Sequence, residues 1–231
     1  MRTRQEHNRL SVVIPTLDAA AELPRTLVAL AGVAQIGEVI VVDGGSRDAS
    51  ARIARRARAR VIEAPRGRGT QLAAGAKAAR CDWLLFLHAD SRPLPGWDAT
   101  VREYIEAPGS EERAGYFTFA LDDPAAAARR VERLAAWRCH ALALPYGDQG
   151  LLIHRSLYAA AGGYPAFPLM EDVALVRRLG RARLKPLGAT IVTSAMRYQR
   201  DGYWGRSLRN LFCLSLYFIG VPPQQIAKLY G

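Results

Sequence analysis

Residues 10–15 read LSVVIP and residues 38–45 read EVIVVDGG, and these two stretches decide the fold. Each holds an unbroken run of β-branched and other apolar residues, which is typical of a strand buried on both faces of a parallel sheet. Pro15 stops the first run, and Asp43 with two glycines ends the second. We therefore expect two buried parallel strands whose carboxyl ends carry polar groups and tight turns.

A helix is expected between these two strands. Leu23, Leu27 and Leu30 recur at helical spacing, Pro24 stands where a first helical turn tolerates it, and Asp18 is the expected cap. The chain therefore begins with a strand, a helix and a second, parallel strand.

The alternation continues to about residue 95 and then loosens. We expect further helices at 48–58, 70–79, 97–105, 124–142 and from Glu171, and further strands at 60–63, 83–87, 116–121, 150–154 and, as two short pieces, around Leu184 and Ile191. This order predicts an α/β fold, with a mostly parallel, Rossmann-like sheet covered by helices on both faces and a smaller second portion. Residues 1–231 are expected to form a single domain, with halves at 10–95 and 96–200 followed by C-terminal helices at 201–231.

The net charge indicates which kinds of binding partner the chain favours. The chain has 32 Lys and Arg against 21 Asp and Glu, a net charge of +11, which attracts phosphates, nucleic acids or anionic lipids. The Arg-rich stretch 52–60 lacks the interleaved aromatic residues of a nucleic-acid groove, so no nucleic-acid partner is expected. The oligomeric state is not readable from these features.

The cysteines and the N-terminus favour a cytoplasmic protein. Cys81, Cys139 and Cys213 are far apart and form no C-x-x-C pair, so neither a disulfide framework nor a thiolate metal site is supported. Met1–Arg9 is polar and lacks the apolar core of a secretory signal.

The longest apolar run, Leu211–Val221, is too short to span a membrane, which takes about 20 residues. Arg206 and Arg209 precede it and Lys228 follows. Two arrangements are compatible with this pattern: a helix packed on the domain, which the short length favours, and a helix lying peripherally at the inner face of the membrane.

Two nucleotide-binding motifs are missing. No G-x-G-x-x-G follows the first strand, and no Gly-Lys-Ser/Thr of a P-loop occurs. Nicotinamide oxidoreductases and P-loop enzymes are therefore disfavoured.

Three acidic positions are candidates for chemistry. Asp43 ends a strand, where a carboxylate can bind a base or a ribose; closing the turn after the strand would explain it equally well. Asp90, in His88-Ala89-Asp90, supplies the hard oxygen ligand that Mg²⁺ or Mn²⁺ prefers, and His88 would suit manganese, although a hydrogen-bonded loop histidine is the more ordinary interpretation. Glu171 and Asp172 open a helix, where acidic side chains are favourable with the helix dipole alone.

Four segments, taken together in their order along the chain, are more informative than these separate positions. Residues 13–18 (VIPTLD), 41–48 (VVDGGSRD), 85–91 (LFLHADS) and 170–173 (MEDV) resemble the successive motifs of family 2 glycosyltransferases with the GT-A fold. Within that family, RGRGTQ at 66–71 and RDGYW at 200–204 make the chain look most like a small, soluble bacterial group, some of whose members are named for arsenosugar biosynthesis.

This resemblance implies an inverting, metal-dependent transfer of a sugar from a nucleotide-diphosphate sugar, with a UDP-sugar favoured, to an acceptor hydroxyl. It implies Asp172 as the catalytic base and a Mn²⁺ or Mg²⁺ ion at Asp90, with His88 at the first position of the usual D-x-D motif. Residues 10–95 would bind the donor and residues 96–200 would face the acceptor. The expected donor contacts are Pro15, Thr16, Asp18, Asp43, Arg68, Gln71, Ala89 and Asp90.

Two other functions compete with this interpretation. A nucleotidyltransferase that makes a sugar-nucleotide would carry a Gly-rich loop with Lys or Arg after the first strand, and Pro15–Asp18 is not such a loop. A non-catalytic protein that binds nucleic acid or lipid through its basic surface would be insensitive to loss of Asp172.

Overall fold

The computed structural model describes residues 8–230; residues 1–7, which belong to the polar N-terminal stretch Met1–Arg9, and Gly231 lie outside the described residues. The strands are β1 (Leu10–Thr16), β2 (Ile36–Asp43), β3 (Arg60–Glu63), β4 (Trp83–Phe86), β5 (Ser91–Pro93), β6 (Ala114–Leu121), β7 (Leu151–His154) and β8 (Leu184–Thr193). The helices are α1 (Leu23–Leu30), α2 (Ser50–Arg56), α3 (Arg68–Ala78), α4 (Trp97–Glu106), α5 (Ala126–Leu142), α6 (Arg155–Ala160), α7 (Glu171–Leu179), α8 (Met196–Asp201), α9 (Tyr203–Phe218) and α10 (Pro223–Tyr230).

The strands form one mixed sheet in the order β3-β2-β1-β4-β7-β6-β8-β5. The first four strands in this order, β3, β2, β1 and β4, are parallel to one another, as the alternation of strands and helices predicts. β7 then pairs antiparallel with both β4 and β6, β8 runs parallel to β6, and β5 pairs antiparallel with β8. The change of direction at β7 brings segments of the second half of the chain to the carboxyl ends of β1 and β4.

Both faces of the sheet are buried, which explains the unbroken apolar run of β1. Val12 and Ile14 pack with α1 in one core, and Val13 packs with α3 in a second core on the opposite face. All three side chains are fully buried. The α/β class with helices on both faces is thereby confirmed.

Two local expectations were wrong. The two short strands around Leu184 and Ile191 are one strand, β8, because a register irregularity in its pairing with β6, between Tyr116 and Thr118, accommodates the Pro186–Gly188 region. Asp18 does not cap α1: the residue before that helix is Glu22, and the carboxylate of Asp18 instead accepts the N–H of Arg47 at 2.7 Å.

The C-terminal apolar run lies mostly in α9. Its side chains Cys213 and Leu214 are buried against the rest of the molecule, while several of its other apolar side chains are exposed. Within residues 8–230, no helix is both long enough and apolar enough to cross a membrane.

Candidate active site

Two adjoining cavities lie at the carboxyl ends of β1 and β4. The outer cleft is bordered by the loop after β1, the start of α3 and the loop after β4. The inner cavity is bordered by the loop before β7, the start of α7 and the C-terminal helices. Arg68, His88, Asp90 and Arg197 line both cavities and therefore stand at their junction.

Asp43 ends β2 directly beside Thr16 of β1. Its carboxylate accepts hydrogen bonds from the hydroxyl of Ser46 at 2.5 Å and from the backbone N–H of Ser46 at 3.1 Å. The side chain is buried and borders neither of the two cavities. In this conformation Asp43 closes the turn after β2, and its contact with a nucleotide stays a prediction.

The loop after β1 supplies much of the wall of the outer cleft, including Pro15, Thr16 and Asp18. Asp18 has a positive φ of 48°, and its N–H donates to the hydroxyl of Ser46 at 3.0 Å. The loop after β2 thus holds the loop after β1 in place. Ala89, on the opposite wall, accepts the hydroxyl of Thr26 through its carbonyl at 2.8 Å.

Gln71 of α3 connects the ends of the first two strands. Its side-chain N–H group donates to the carbonyl of Thr16 at 2.9 Å and to that of Val42 at 2.8 Å, and the residue is buried. The amide nitrogen is therefore occupied by the backbone. Gln71 fixes the spacing of β1 and β2 beneath the outer cleft, which it also borders.

Arg68, at the start of α3, forms an ion pair with Glu171, whose side chain is fully buried at the start of α7. Burial raises the pKa of Glu171, against the attraction of Arg68, which lowers it. Burial alone would lower the pKa of Arg68, but the nearby Glu171 and Asp172 carboxylates raise it well above its ordinary value. The guanidinium is therefore already paired with protein, and its expected contact with the donor stays a prediction.

The packing at the start of α3 requires a glycine at position 69. A Cβ atom at Gly69 would come within 2.1 Å of the carbonyl oxygen of Pro165, and the N–H of Gly69 donates to the carbonyl of Phe167 at 3.1 Å. The start of α3 therefore lies directly against the loop that leads into α7. This contact fixes the position of the two acidic residues that open α7.

His88 and Asp90 follow β4 and fit a divalent cation to different degrees. The carboxylate of Asp90 lies at the junction of the two cavities. Burial, together with the charges of Arg68 and Arg197, lowers the pKa of His88 well below its ordinary value, so the ring is neutral, as a metal ligand must be. However, its Nε2 is buried, has no hydrogen-bond partner in the described part of the chain, and lies beside Gly147.

Asp90 is thus the side chain that fits the ion in this conformation. No group of three or more His, Cys, Asp or Glu among the described residues is arranged to hold a metal. An ion at Asp90 would therefore take further oxygen ligands from phosphate and water, as magnesium and manganese commonly do.

Asp172 lies in the inner cavity. One carboxylate oxygen accepts the backbone N–H of Gly147 at 2.7 Å, and the other accepts the N–H of Val173 at 2.8 Å. A Cβ atom at Gly147 would lie 2.7 Å from Nε2 of His88 and 3.3 Å from the carboxylate of Asp172. The segment before β7 therefore packs between the His88 loop and the start of α7, and it orients the Asp172 carboxylate.

Sequence reasoning missed Asp148, which also lines the inner cavity. It sits in a short 3₁₀ turn, Gly147–Gln149, directly before β7. Because β7 runs antiparallel to β4, with Leu151 opposite Phe86, the start of β7 meets the end of β4. The polar Tyr-Gly-Asp-Gln sequence at 146–149 is a signal for a loop, but its place beside His88 depends on that pairing.

The turn that carries Asp148 is firmly held. Arg138 of α5 donates to the carbonyl of Leu144 at 2.7 Å and to the side chain of Gln149 at 3.0 Å, and its guanidinium lies over the Tyr146 ring. Burial raises the pKa of Asp148 to about 6; Arg138 opposes this shift, and the Asp172 and Asp90 charges add to it. Oδ1 of Asp148 has no hydrogen-bond partner within residues 8–230. The inner cavity thus contains a carboxylate that its surroundings do not satisfy.

Arg197 is a second residue that the sequence did not single out. It follows β8, whose last residue, Thr193, lies opposite Ser91 in β5, so the chain after β8 returns to the Asp90 loop. The N–H of Ser194 donates to the carbonyl of Asp90 at 3.1 Å. Arg197 is exposed, borders both cavities, and has no ion pair or hydrogen bond within residues 8–230.

Comparisons with known proteins give a family match for the first part of the chain and similar folds for most of it. Residues 11–111 match the model of glycosyl transferase family 2. No curated protein matches the sequence. The structure of residues 1–349 of S. aureus TarS is similar at 14% identity and a TM-score of 0.65, over 90% of this chain and 65% of that one.

Two mycobacterial structures are also similar. Glucosyl-3-phosphoglycerate synthase from Mycobacterium tuberculosis, in complex with Mn²⁺, UDP and glucosyl-3-phosphoglycerate, is 19% identical, with a TM-score of 0.57 over 81% of this chain and 70% of that one. A protein described as mycobacterial is 20% identical, with a TM-score of 0.57 over 81% of this chain and 65% of that one. The chain thus spans about two thirds of the length of these structures.

The family match and the shared fold cover the segments that hold the loop after β1, Asp43 and the His88–Asp90 turn. Neither the family match nor the shared fold shows the resemblance to the smaller group named for arsenosugar biosynthesis. Residues 11–111 are thus similar to glycosyl transferase family 2, and the chain shares the GT-A fold of these structures.

Proposed function

We propose that the chain transfers a sugar from a nucleotide-diphosphate sugar to a hydroxyl group of an acceptor, with inversion at the anomeric carbon and with a divalent cation. The observation that carries the proposal is the meeting of Asp90 and Asp172 on one cavity, although they belong to segments far apart in the sequence. A carboxylate for a metal-bound diphosphate and a second carboxylate for a hydroxyl proton are the two acidic groups that a one-step displacement uses.

The outer cleft is the proposed donor site, and a UDP-sugar is the proposed donor. Its wall includes Pro15, Thr16, Asp18 and Ala89, which the family resemblance assigns to the nucleotide. A similar structure, of TarS, contains UDP-GlcNAc, and another, of glucosyl-3-phosphoglycerate synthase, contains UDP. At the inner end of the cleft, Arg197 offers a guanidinium that has no ion pair among the described residues, and its planar fork suits phosphate oxygens.

Asp172 is the proposed general base. The N–H groups of Gly147 and Val173 hold its carboxylate in one orientation at the wall of the inner cavity. From there it would take the proton of the acceptor hydroxyl as that oxygen attacks the anomeric carbon. A single displacement from the face opposite the leaving group inverts the configuration.

Asp90 is the proposed metal ligand. A bound Mg²⁺ or Mn²⁺ supplies positive charge that offsets the charge developing on the leaving diphosphate. Arg197 would add to that neutralisation from the protein side, because it lies at the same junction and has no competing carboxylate partner among the described residues.

The inner cavity is the proposed acceptor site, with Asp148 as a binding group. The Tyr146 ring offers a surface for a sugar or polyol, and the unsatisfied carboxylate of Asp148 can accept a hydrogen bond from a second hydroxyl of the acceptor.

Residues 1–231 are proposed to form one domain, in which residues 10–95 form the donor half, residues 96–200 the acceptor half and residues 201–231 the C-terminal helices. The origin of the residues that line each cavity supports this division.

The proposal is tested with a panel of UDP- and GDP-sugars and Mg²⁺ or Mn²⁺, with monosaccharides, polyols and phosphorylated hydroxy acids as acceptors. Release of nucleoside diphosphate that depends on both sugar-nucleotide and metal is the expected result. Asp90→Ala should reduce it by at least about tenfold, because metal stabilisation of the leaving group contributes several kcal/mol. Release of pyrophosphate from a nucleoside triphosphate plus a sugar phosphate, with no turnover of sugar-nucleotides, would instead identify a nucleotidyltransferase.

Asp148→Asn tests the acceptor site. Loss of a hydrogen bond to a charged group costs about 1.5–3 kcal/mol, so kcat/KM for the acceptor should fall about 10- to 100-fold. The KM for the donor and the slow hydrolysis of donor without acceptor should be unchanged, because Asp148 does not border the outer cleft. Initial rates at varied acceptor and varied donor concentrations separate the two effects. An equal loss in donor KM would show that Asp148 does not act through the acceptor.

A further inference from the structure

The helix α9 exposes an unusually apolar face. Its large side chains Trp204, Leu208, Leu211 and Phe212, together with Ile219 directly after its last residue, recur at helical spacing and are 56% to 76% exposed; Phe218 beside them is 48% exposed. We call these six side chains the α9 stripe. The opposite face of the helix packs on the molecule through buried Arg206, Cys213 and Leu214. An exposed apolar face of this extent marks a binding surface rather than ordinary surface variation.

The stripe continues onto α5. The guanidinium of Arg130 on α5 lies 5.8 Å from the centroid of the Trp204 ring, which places the two helices side by side. Leu134 and Trp137 follow Arg130 at helical spacing on the same face of α5, and they are 54% and 60% exposed. The exposed apolar side chains of α5 therefore lie on a helix that is next to the start of the α9 stripe.

Positive charge borders this surface, and negative charge is missing from α9 and α10. Arg130 contacts Trp204 near the start of α9, and Arg177 of α7 lies 4.9 Å from the Phe218 ring near its end. Arg209 is exposed on α9 itself. From residue 202 to residue 231 the sequence contains no Asp or Glu, in a chain with a net charge of +11.

We propose that the α9 stripe, together with Leu134 and Trp137, inserts into the surface of an anionic lipid bilayer. An amphipathic helix with aromatic and leucine side chains on one face and arginines at its borders is suited to lie in the plane of the interface, with the arginines against lipid phosphates. A partner protein surface would need carboxylates opposite each bordering arginine, whereas an anionic membrane supplies charge along the whole border. The helix is too short to span the bilayer, so it lies on it.

This arrangement places the inner cavity near the bilayer, because α9 and α10 also contribute Arg206, Asn210 and Tyr230 to the wall of that cavity. Arg206 joins these helices: it donates to Asp201 at 3.0 Å and to the hydroxyl of Tyr230 at 2.8 Å. The membrane surface is independent of the proposed sugar transfer, and its test uses neither donor nor acceptor.

The test is co-sedimentation of the full chain with vesicles of phosphatidylcholine alone and of phosphatidylcholine with phosphatidylglycerol. The chain should bind the vesicles that contain phosphatidylglycerol and bind less to them as salt is raised. Leu208→Glu combined with Phe212→Glu should weaken binding by at least about tenfold, because two exposed apolar side chains that would enter the bilayer are replaced by charged ones. Val28→Glu is the matched control: Val28 is 74% exposed on α1, outside this surface, and its replacement should leave binding unchanged.

Circular dichroism and thermal unfolding establish that the variants are folded, as expected for changes at exposed side chains. Binding that is retained by the Leu208→Glu/Phe212→Glu variant, or that is absent in the unmodified chain, would overturn the proposal. A dimer in solution that the double substitution converts to a monomer, without any vesicle binding, would also overturn it and would assign the stripe to a contact between copies.

Discussion

Replacing Asp172 by asparagine should lower kcat for sugar transfer by about 10²–10⁴-fold, the usual contribution of a general base. The amide has almost the same shape as the carboxylate, and its one oxygen can still accept the N–H of Gly147, the longer-range of the two contacts, so the start of α7 should keep its structure. What is lost is the group that takes the proton. The measurement is nucleoside diphosphate release at saturating donor and acceptor, together with the affinity for the donor, which should change little.

The matched control for Asp172 is Asp98. Both are the second residue of a helix, Asp172 in α7 and Asp98 in α4, so both are equally favourable with a helix dipole. Asp98 lies outside both cavities of the candidate site. Asp98→Asn should leave kcat unchanged. If the two variants had the same activity, Asp172 would be only a helix-start acid and the base would have to be sought elsewhere.

Replacing Arg68 by alanine should destabilise the protein by about 3–5 kcal/mol at neutral pH, the cost of breaking a buried ion pair on one side. The fully buried carboxylate of Glu171 would lose its cation. The free energy of unfolding from urea titrations measures this loss. Arg66→Ala is the control, because Arg66 is exposed in the same loop.

The loss of stability in the Arg68→Ala variant should depend on pH in a defined direction. Burial already raises the pKa of Glu171 above its ordinary value of 4.5, and Arg68 is the group that opposes this shift. Without Arg68 the folded-state pKa rises further above the unfolded value, so stability is retained below pH 4.5 and decreases as the pH rises through the folded-state pKa. The destabilisation should therefore be smaller at about pH 5 than at about pH 7.

A second substitution distinguishes the ion pair from other effects of Arg68. Glu171→Gln in the Arg68→Ala background removes the unpaired charge and should recover much of the lost stability. If Arg68 served only to bind phosphate, Arg68→Ala would raise the KM for the donor without changing stability, and Glu171→Gln would recover nothing.

The strands and helices of the first half could be predicted because their signals are local. Apolar runs such as Val12–Ile14 and the leucines of α1 give the period of the element directly. The rule that loops at the carboxyl ends of parallel strands meet predicted that Asp90 would lie beside the loop after β1. The merging of the Leu184 and Ile191 segments into β8 could not be predicted, because proline and glycine between them are ordinary signs of a strand end.

The sequence by itself determined the α/β class, the alternation of strands and helices in the donor half, and three acidic positions, two of which, Asp90 and Asp172, line the inner cavity. Only the tertiary structure decided which polar groups meet there. Antiparallel pairing of β7 with β4 brings Asp148 to the His88–Asp90 turn, and the pairing of β8 with β5 returns Arg197 to Asp90. The reason is physical: periodicity reports which face of an element is buried, whereas strand pairing over long sequence separations depends on how the completed core packs.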